Sequence, residues 1–583
     1  MAKAKPCLIC CCVLGTLTCL ALIYLCVVFL VAGRCPGFTR AAVAADSRLC
    51  SDIGRGILQQ GGSAVDGAIA ALLCTSVVNP QSMGLGGGSI VTVRNKSGRH
   101  VRVFNFRETV PQRFKVDLLS DCPSTFMLST GSQWIGVPGE LRGYEAMHRR
   151  YGKLSWAELF EPTIRLARNG ITMPPFLAKV LKYPLIKAHV QNSSLCQILC
   201  KANKALLGPG DILKFPQLAR TMEIVAQQGA DAFFTGKIGQ DLVKDVKEAG
   251  GTLEMEDLRR FQVQEMDAWK LRLGNTRMYI PPPPAGGALL AFILQLMTDF
   301  PFNASMDNHQ KTQMYHHFIE AAKFANGQRR EIRDPRFNTQ KGADHMIDPK
   351  FIDSIRKKIS ANGTHENDYY ANSDPPLDRF GTTHVSVMDE DGLAVSATST
   401  INQIFGGAVY SPRTGVILNN ELSDFCKRAD TIRAGKVAAQ EVAVRPVGGL
   451  IRSLIVSVGE RPPSSMTPVI LESESGGLLV IGGSGGSLIT SAVALAIMNR
   501  LWLKMSLEDA IAMPIVYVDS KNIVQYESSF DKWPPTVIEG LKALGHKVEP
   551  LKYAFNVVNG LEKENGCITA VSDLRKLGQS AGY

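Results

Sequence analysis

The sequence has no block of like charge and relatively few charged residues. Asp, Glu, Lys and Arg make up 20% of its 583 residues, and the net charge of +11 comes from basic residues scattered along the chain. A nucleic-acid-binding surface concentrates its basic residues in a patch or stripe. The charge pattern therefore argues against a nucleic-acid partner.

The chain also lacks an internal repeat of roughly 20–50 residues, which is the mark of solenoids and propellers. Its hydrophobic fraction of 45% is ordinary for a globular protein. This composition excludes a wholly disordered chain, a collagen-like or coiled-coil protein and a polytopic membrane protein.

Signatures of nucleotide and metal binding are missing as well. The segment MGLGGGS (83–89) matches neither the dinucleotide-binding nor the P-loop pattern. His316 and His317 are adjacent, so on a regular helix they point about 100° apart and cannot both face one metal ion. We therefore predict no cofactor and no metal site.

One long uncharged run is present at the N-terminus. Residues 7–33 contain no charged side chain, Lys3 and Lys5 precede them, and Arg34 follows. The run exceeds the ~20 residues that span a bilayer and the roughly 7–15 of a signal-peptide core. We predict a cytoplasmic tail over 1–6, a transmembrane signal anchor over 7–33 and all later residues outside the cell, as in a single-pass type II plasma-membrane protein.

Cysteines and glycosylation sequons agree with that orientation. The chain has 14 cysteines, of which those at 7, 10, 11, 12, 19 and 26 lie in the uncharged run. Sparse cysteines in the remainder suit an oxidising compartment without indicating a disulfide-built miniprotein. N-x-S/T sequons, the predicted glycosylation sites, begin at Asn95, Asn192, Asn303 and Asn362.

Hydrophobic periodicity predicts a mixed helix and strand protein. Residues 41–80 have the spacing of two helices, and SIVTVRN alternates like a strand. Residues 361–381 are polar, rich in turn formers and aperiodic, which is typical of an exposed linker. After the linker, TTHVSVM, DEDG and LAVSATST predict a β-hairpin, followed by strands at 408–419 and 467–482 and by a long helix from SLITSAVALAIMNRLW.

A first nucleophile hypothesis concerns the sequence GGSGG (482–486). It fits G-x-S-x-G between a strand and a helix, so Ser484, Asp519 and His546 could form a triad in that chain order. The alternative interpretation is a glycine-rich turn whose N–H groups form an anion-binding nest at a helix N-terminus.

A second hypothesis concerns Thr382, where the predicted linker ends and the hairpin begins. Cleavage of the bond between Gly381 and Thr382 would leave a threonine hydroxyl as nucleophile and its own α-amine as base. The cut could be intramolecular, because Gly381 leaves its carbonyl sterically open to attack by the Thr382 hydroxyl.

The motifs of residues 40–583 resemble those of the γ-glutamyltransferases, which are N-terminal-nucleophile hydrolases. The resemblance rests on RAAVAAD, GGSAVD, NPQSMGLGGGS, WIGVPGELRGYE, GTTHVSV, SATSTIN, ILNNELSDF, PPSSMTP, GGSGG and SAGY. Among vertebrate paralogues, NPQSMGLGGG, PPPPAGG, VYSPRTG and ERPPSSM are most similar to the leukotriene-directed branch.

The resemblance implies an α+β fold, an αββα sandwich built from two chains of one precursor. Autocleavage at Gly381–Thr382 would give a large chain, 34–381 with the anchor, and a small chain, 382–583, held together as a heterodimer. The implied activity is transfer of the γ-glutamyl group of glutathione or its S-conjugates to water or to an acceptor amino acid or dipeptide. The runner-up is a catalytically silent, uncut family member that serves as a binding or structural ectodomain.

The resemblance also assigns roles to individual residues. It implies that Thr382 is the nucleophile, that Thr400 assists it, and that Gly485 and Gly486 supply the oxyanion hole. The γ-glutamyl donor would be bound by Arg107, Ser464 and Ser465 at its carboxylate and by Asn402, Glu421 and Asp424 at its ammonium group.

Two further features follow from the same comparison of motifs. The family's disulfides correspond to Cys50 with Cys74 and Cys196 with Cys200, and Asn95 matches a family glycosylation position. Residues 428–458 depart from the family pattern, since they replace its loop rich in proline, glycine and serine with a partly apolar segment.

Overall fold

The structure is a computed structural model that describes residues 35, 37–98, 100–122, 131–303, 305–338, 342–371, 381–426, 456–527, 534–551 and 557–583. Within these ranges no helix combines the length and apolar character that crossing a membrane requires. The predicted tail and anchor (1–33), most of the divergent segment 428–458 and residues 372–380 of the predicted linker lie outside the described residues.

The predicted hairpin after Gly381 is confirmed and forms the centre of a seven-stranded antiparallel sheet. Its two strands pair with Thr383 opposite Ser399 and Met388 opposite Ala394. In spatial order the sheet contains β20 (Ala581–Gly582), β1 (Ala42–Ala44), β9 (Thr383–Met388), β10 (Ala394–Thr400), β2 (Gly88–Arg94), β3 (Val101–Asn105) and β6 (Gln264–Asp267).

A second antiparallel sheet has six strands and contains the strands predicted at 467–482. In spatial order these are β19 (Cys567–Val571), β18 (Val557–Glu564), β14 (Leu478–Ser484), β13 (Val469–Ser473), β8 (Thr276–Ile280) and β7 (Trp269–Leu273). The short strands β4 (Ile171–Thr172) with β5 (Ile212–Leu213), β11 (Val409–Tyr410) with β12 (Ile417–Leu418), and β15 (Val516–Val518) with β16 (Val524–Tyr526) and β17 (Val548–Pro550) form small separate sheets.

Two-residue alternation along β9 and β10 divides their side chains between two layers. Val385, Val387, Val395 and Ala397 belong to a core shared with helices. Met388 and Ala394 point the other way, into a cluster with residues of β13 and β14. Both faces of the first sheet are therefore covered, one by helices and the other by the second sheet.

The helices fall into two outer layers. The layer on the first sheet shares its core with α1 (Arg48–Gln59), α2 (Ala64–Val78), α3 (Glu140–Tyr151), α4 (Trp156–Asn169), α5 (Pro175–Val180), α6 (Pro184–Gln191), α7 (Cys196–Leu199), α8 (Pro216–Gln228), α9 (Asp231–Phe234), α10 (Lys237–Glu248) and α11 (Met255–Arg260). The layer on the second sheet contains α12 (Gly287–Met297), α13 (Asn308–Gln328), α14 (Pro349–Arg356), α15 (Ile489–Leu501), α16 (Leu507–Ala512) and α17 (Pro535–Ala543). This is the αββα arrangement that the family resemblance implied.

The two sheets pack closely against each other along the central hairpin. Ser396 Oγ donates to the Ile481 carbonyl at 3.1 Å, and a Cβ on Gly482 would lie 2.3 Å from the His384 ring. Glycine at 482 therefore lets β14 pack against β9. The same contact brings the turn after β14 to the beginning of β9.

Candidate active site

Two threonine hydroxyls lie together at the start of the central hairpin. Thr382 immediately precedes β9, and Thr400 is the last residue of β10, so the pairing of Thr383 with Ser399 makes them neighbours. Their Oγ1 atoms are 3.1 Å apart, and both side chains are buried. Thr400 Oγ1 accepts the Asn402 N–H at 2.8 Å, which leaves its own proton available for Thr382 Oγ1.

The backbone at Gly381–Thr382 is enclosed and strained. Gly381 has φ of 103° and Thr382 has φ of 71°. A Cβ on Gly381 would lie 1.9 Å from the Asn402 carbonyl oxygen, so only glycine fits there. A β-branched residue with positive φ is a real outlier, with strain on the order of 1–3 kcal/mol.

One small pocket is lined by nearly all the residues that the family resemblance assigned to catalysis and donor binding. Its lining includes Arg107, Thr382, Thr400, Asn402, Glu421, Asp424, Ser464, Ser465 and Gly486. The volume left among these side chains is about 10 Å³, near the minimum for one water molecule. Gly485 precedes Gly486 in the turn between β14 and α15, with φ of 116°, and is not among the lining residues.

The Arg107 guanidinium is almost completely buried and bound on several sides. Nη1 pairs with Glu421, Nη2 donates to Asp424 at 2.5 Å, and Nε donates to the Pro462 carbonyl at 2.9 Å. Burial opposes the charged guanidinium, but Glu421 and Asp424 outweigh it and raise the pKa of Arg107. The pocket thus holds a buried cation between two carboxylates.

Two elements hold the polar groups around that cation. The 3₁₀ turn Glu421–Phe425 carries both carboxylates. Asn402 Nδ2 donates to Ser423 Oγ within this turn at 3.0 Å and to Asn420 O just before it at 3.1 Å. On the opposite side, Ser465 Oγ accepts from Arg329 Nη1 at 2.9 Å. Arg329 is a site residue that sequence reasoning missed, and nothing in its local pattern would have revealed it.

Lys576 is a second missed residue. Its buried ammonium group donates to Asp46 Oδ2 at 2.9 Å, to the Thr382 carbonyl at 2.7 Å and to Ser484 Oγ at 2.8 Å. One cation therefore joins the segment just after β1, the nucleophile candidate and the glycine-rich turn. A lone lysine near the C-terminus carries no sequence signal for this position.

Glu108 is a third missed residue, next to the predicted Arg107. It is fully buried, and neither carboxylate oxygen has a hydrogen-bond partner among the described residues. Burial, and then the negative charge of Glu421, raise the pKa of Glu108 well above its usual range. This environment favours the neutral form of the carboxyl group.

The alternative triad of Ser484, Asp519 and His546 is not assembled. His316 Nε2 donates to Ser360 O at 2.6 Å, which leaves its Nδ1 to accept from His546 Nε2 at 2.7 Å. The other ring nitrogen of His546 lies 3.1 Å from Lys323 Nζ, so neither nitrogen is left for Ser484. Burial lowers the pKa of His546 to about 2.

His316 and His546, together with Glu320, form the one group of potential metal ligands in the described part of the chain. Lys323 Nζ lies 3.1 Å from Glu320 Oε1, so an ammonium group already occupies the position that a cation would take. Tyr370 OH donates to Glu320 Oε2 at 2.6 Å. The group is a hydrogen-bonded network, and we assign no metal to it.

The predicted disulfides and sequons lie away from this pocket. Cys50 pairs with Cys74 and Cys196 with Cys200, as the resemblance implies. The structure adds Cys35–Cys567 and Cys122–Cys426, which the sequence analysis did not pair. Of the sequon asparagines Asn95, Asn192, Asn303 and Asn362, the first is half-buried and the other three are exposed.

Comparison with known proteins defines the class. Residues 50–583 match the family Gamma-glutamyltranspeptidase. The fold is similar to a crystal structure of cephalosporin acylase from Bacillus halodurans, with a TM-score of 0.79, 20% identity, and coverage of 94% of this chain and 97% of that one. The chain therefore belongs to the γ-glutamyltranspeptidase family, a family of enzymes that carry the N-terminal-nucleophile hydrolase fold.

Named relatives narrow the comparison within that family. The chain is 48% identical to the human "Glutathione hydrolase 5 proenzyme" over 94% of this chain and 93% of the relative. It is 46% identical to the rat protein of the same name over the full length of both. These are the relatives expected from the vertebrate motifs.

Replacing Glu108 tests whether its side chain is protonated. We predict that Glu108→Gln folds normally and is more stable than the wild type above pH 5. The reason is that an unfolded glutamate ionises near pH 4.3 while the pKa of the buried one is raised, so wild-type stability falls as pH rises above that value. The difference grows by about 1.4 kcal/mol per pH unit until the folded group ionises.

Thermal unfolding of both proteins between pH 4 and pH 8 measures this difference. Glu108→Asp is the matched control, because it keeps an ionisable carboxyl group and therefore the slope with pH. A constant difference between Glu108→Gln and the wild type across this range would contradict a protonated Glu108.

Proposed function

We propose that this protein is a γ-glutamyltransferase and glutathione hydrolase that matures by cutting its own chain between Gly381 and Thr382. The observation that carries the proposal is the pocket in which the Thr382 and Thr400 hydroxyls lie beside Arg107, Glu421 and Asp424. A nucleophile pair and charges of both signs suit a donor that carries an amide, an ammonium and a carboxylate.

Maturation begins with attack of Thr382 Oγ1 on the Gly381 carbonyl carbon. The peptide C–N bond breaks as the C–O bond forms, so an ester replaces the amide and the Thr382 nitrogen becomes a free amine. Water then hydrolyses the ester, which leaves Gly381 as a carboxylate and restores the Thr382 hydroxyl. The positive φ of Thr382 supports this step, because cutting the 381–382 bond releases the strain.

In the mature enzyme the new α-amine of Thr382 is the general base. It accepts the hydroxyl proton while Oγ1 attacks the γ-amide carbonyl of the donor, and it returns a proton to the departing amine. The reference pKa of about 7.7–8.0 for an α-amine suits this role. The backbone N–H groups at Gly485 and Gly486 are our candidates for stabilising the oxyanion.

The second half of the reaction consumes the γ-glutamyl ester on Thr382. Water attacks the ester to release glutamate, or the amine of an acceptor amino acid or dipeptide attacks to form a new γ-glutamyl amide. Thr400 supports both halves, because its hydroxyl can donate to the nucleophile oxygen 3.1 Å away.

Donor binding requires an exchange of ion pairs. Arg107 is paired with Glu421 and Asp424, and about 10 Å³ is left among the lining side chains. A γ-glutamyl group is far larger than this space, so the side chains must separate. The donor carboxylate would then pair with the Arg107 guanidinium, with Ser464 and Ser465 beside it. The donor ammonium would pair with the freed carboxylates of Glu421 and Asp424.

The decisive experiment compares two alanine variants. We predict that Thr382→Ala is neither cut nor active, because both reactions use the same hydroxyl. Ser484→Ala should still be cut. The readouts are N-terminal sequencing of the small chain on a reducing gel and release of the anilide from a γ-glutamyl anilide.

In this comparison the wild-type small chain should begin Thr-Thr-His-Val. An uncut wild-type chain without turnover would support the catalytically silent alternative. Cleavage that persists in Thr382→Ala but stops in Ser484→Ala would overturn the role of Thr382.

For the physiological donor we propose glutathione S-conjugates, including the leukotriene conjugate, alongside glutathione. Support comes from the four vertebrate motifs and from the relatives named glutathione hydrolase 5. The charged and hydroxyl groups of the pocket match the γ-glutamyl end of the donor, and that end is the same in all of these donors.

We therefore predict that Asp424→Asn lowers kcat/KM by the same factor for glutathione and for the leukotriene conjugate. The factor should be roughly 10- to 100-fold, the loss of one charged hydrogen bond of about 1.5–3 kcal/mol. Steady-state kinetics with both donors measure it. Hydrolysis of glutathione without hydrolysis of the conjugate would refute the broader donor range.

We also propose that residues 7–33 anchor the protein in the plasma membrane with the later residues outside the cell. The uncharged run supports the anchor, and the four disulfides support an oxidising environment for the rest of the chain. The protein should stay with membranes through alkaline extraction, and removal of residues 7–33 should release it. Extraction of the full chain at high pH would contradict the anchor.

A further inference from the structure

Two disulfides connect distant parts of the chain. Cys35 bonds Cys567 across a sequence separation of 532, and Cys122 bonds Cys426 across a separation of 304. Their Cα atoms are 5.3 and 5.6 Å apart, within the usual range for a disulfide. Both connections cross the bond between Gly381 and Thr382. By contrast, Cys50–Cys74 and Cys196–Cys200 lie wholly before it.

We propose that the mature enzyme is a covalent heterodimer whose large and small chains are joined by Cys35–Cys567 and Cys122–Cys426. The proposal rests on the cleavage argued above, since uncut protein has no separate chains to join. With these bonds, the cut changes the chemistry of Thr382 without allowing the small chain to leave.

The first bond holds the small chain to the beginning of the described structure. Next to Cys35, Phe38 and Ile568 exchange backbone hydrogen bonds of 2.8 and 2.7 Å. Gly37 lies so close to this strand that a Cβ there would be 2.2 Å from the Ile568 carbonyl oxygen. Because residues 7–33 precede this point in the chain, the bond also attaches the small chain covalently to the proposed anchor.

The second bond lies directly behind the donor pocket. Cys426 follows the 3₁₀ turn Glu421–Phe425 that carries Glu421 and Asp424, and Cys122 follows another 3₁₀ turn, Val116–Asp121. The bond belongs to a small buried cluster with Val110, Leu118, Leu119, Trp134, Leu422, Phe425 and Val456. It therefore holds the carboxylate-bearing turn of the small chain against the large chain that supplies Arg107.

The two bonds differ in their exposure to thiols. Cys122 and Cys426 are 5% and 9% exposed, whereas Cys35 and Cys567 are both half-buried. Thiol–disulfide exchange requires access of a thiolate to a sulfur atom. The Cys122–Cys426 bond is therefore protected from glutathione, a thiol that the enzyme itself binds, and Cys35–Cys567 should be reduced first.

Denaturing gels with and without reductant test the covalent link. The full chain is expressed in membranes, treated with a thiol-blocking reagent, deglycosylated and detected with an antibody against the small chain. With reductant, the wild type should show a band of about 22 kDa, the share of residues 382–583 in the 63.4 kDa chain. Without reductant, the same antibody should detect only a species near the mass of the whole chain.

Cysteine variants separate the contributions of the bonds. Cys35→Ser and Cys122→Ser should each keep the chains linked, while the double variant should release the small chain without reductant. Cys196→Ser/Cys200→Ser is the matched control, because it removes a bond inside the large chain and should leave the link intact. A 22 kDa wild-type band without reductant would overturn the covalent link while leaving the cleavage in place.

Peptide mapping without reduction covers the case of a variant that does not fold. Wild-type protein should yield one linked peptide pair containing Cys35 and Cys567 and another containing Cys122 and Cys426. Free thiols at these positions would overturn the proposal whether or not the chain is cut. A full-length band even with reductant would instead show that the proposed cleavage fails, and the covalent heterodimer would fall with it.

Kinetics distinguish a role in positioning the donor from a merely structural one. Cys122→Ser/Cys426→Ser should raise KM for a γ-glutamyl anilide with little change in kcat, because Thr382 and Thr400 are held by the hairpin. Cys35→Ser/Cys567→Ser should leave both constants unchanged. Equal effects of the two double variants would overturn the positioning role of Cys122–Cys426.

Discussion

The pairing of Thr383 with Ser399 is the constraint on which the rest of the site depends. It places Thr382 beside Thr400 at one end of the central hairpin, next to the turn after β14. A register shift of one residue would turn the hydroxyls and the apolar side chains to the wrong faces. Since both faces of the sheet are buried, the hydrophobic layers of the whole molecule hold this register and thereby the nucleophile candidate.

Charge balance in the pocket is the second organising feature. Arg107 is buried with Glu421 and Asp424 around it, and burial raises the pKa of Glu108 beside them. If Glu108, Glu421 and Asp424 were all ionised, they would carry more negative charge than one guanidinium balances. Burial therefore favours the protonated form of Glu108. The guanidinium and the two carboxylates thus pair with each other inside the pocket. The ammonium and carboxylate groups of an amino acid carry the same two charges and can therefore replace these internal pairs.

Covalent connection and cleavage are complementary in this fold. In the first sheet β1 of the predicted large chain lies between β20 and β9 of the small chain, and in the second sheet β8 pairs with β13, so hydrogen bonds already connect the two chains. Lys576 joins Asp46 of the predicted large chain to Thr382 and Ser484 of the small chain. The two chain-crossing disulfides then secure the edges of this interleaved structure, one near the N-terminus and one behind the donor pocket.

The local sequence was sufficient for the hairpin, the helices of 41–80 and the glycine-rich turn, because strand alternation and helical spacing are short-range properties. It also singled out Thr382 as the candidate nucleophile. The family motifs also brought Arg107, Asn402, Glu421, Asp424 and the two serines into one predicted set. Tertiary structure alone identified Lys576 and Arg329, the buried Glu108, the unassembled Ser484 triad and the partners of Cys35 and Cys122. These depend on burial and on contacts between residues hundreds of positions apart, which no local pattern records.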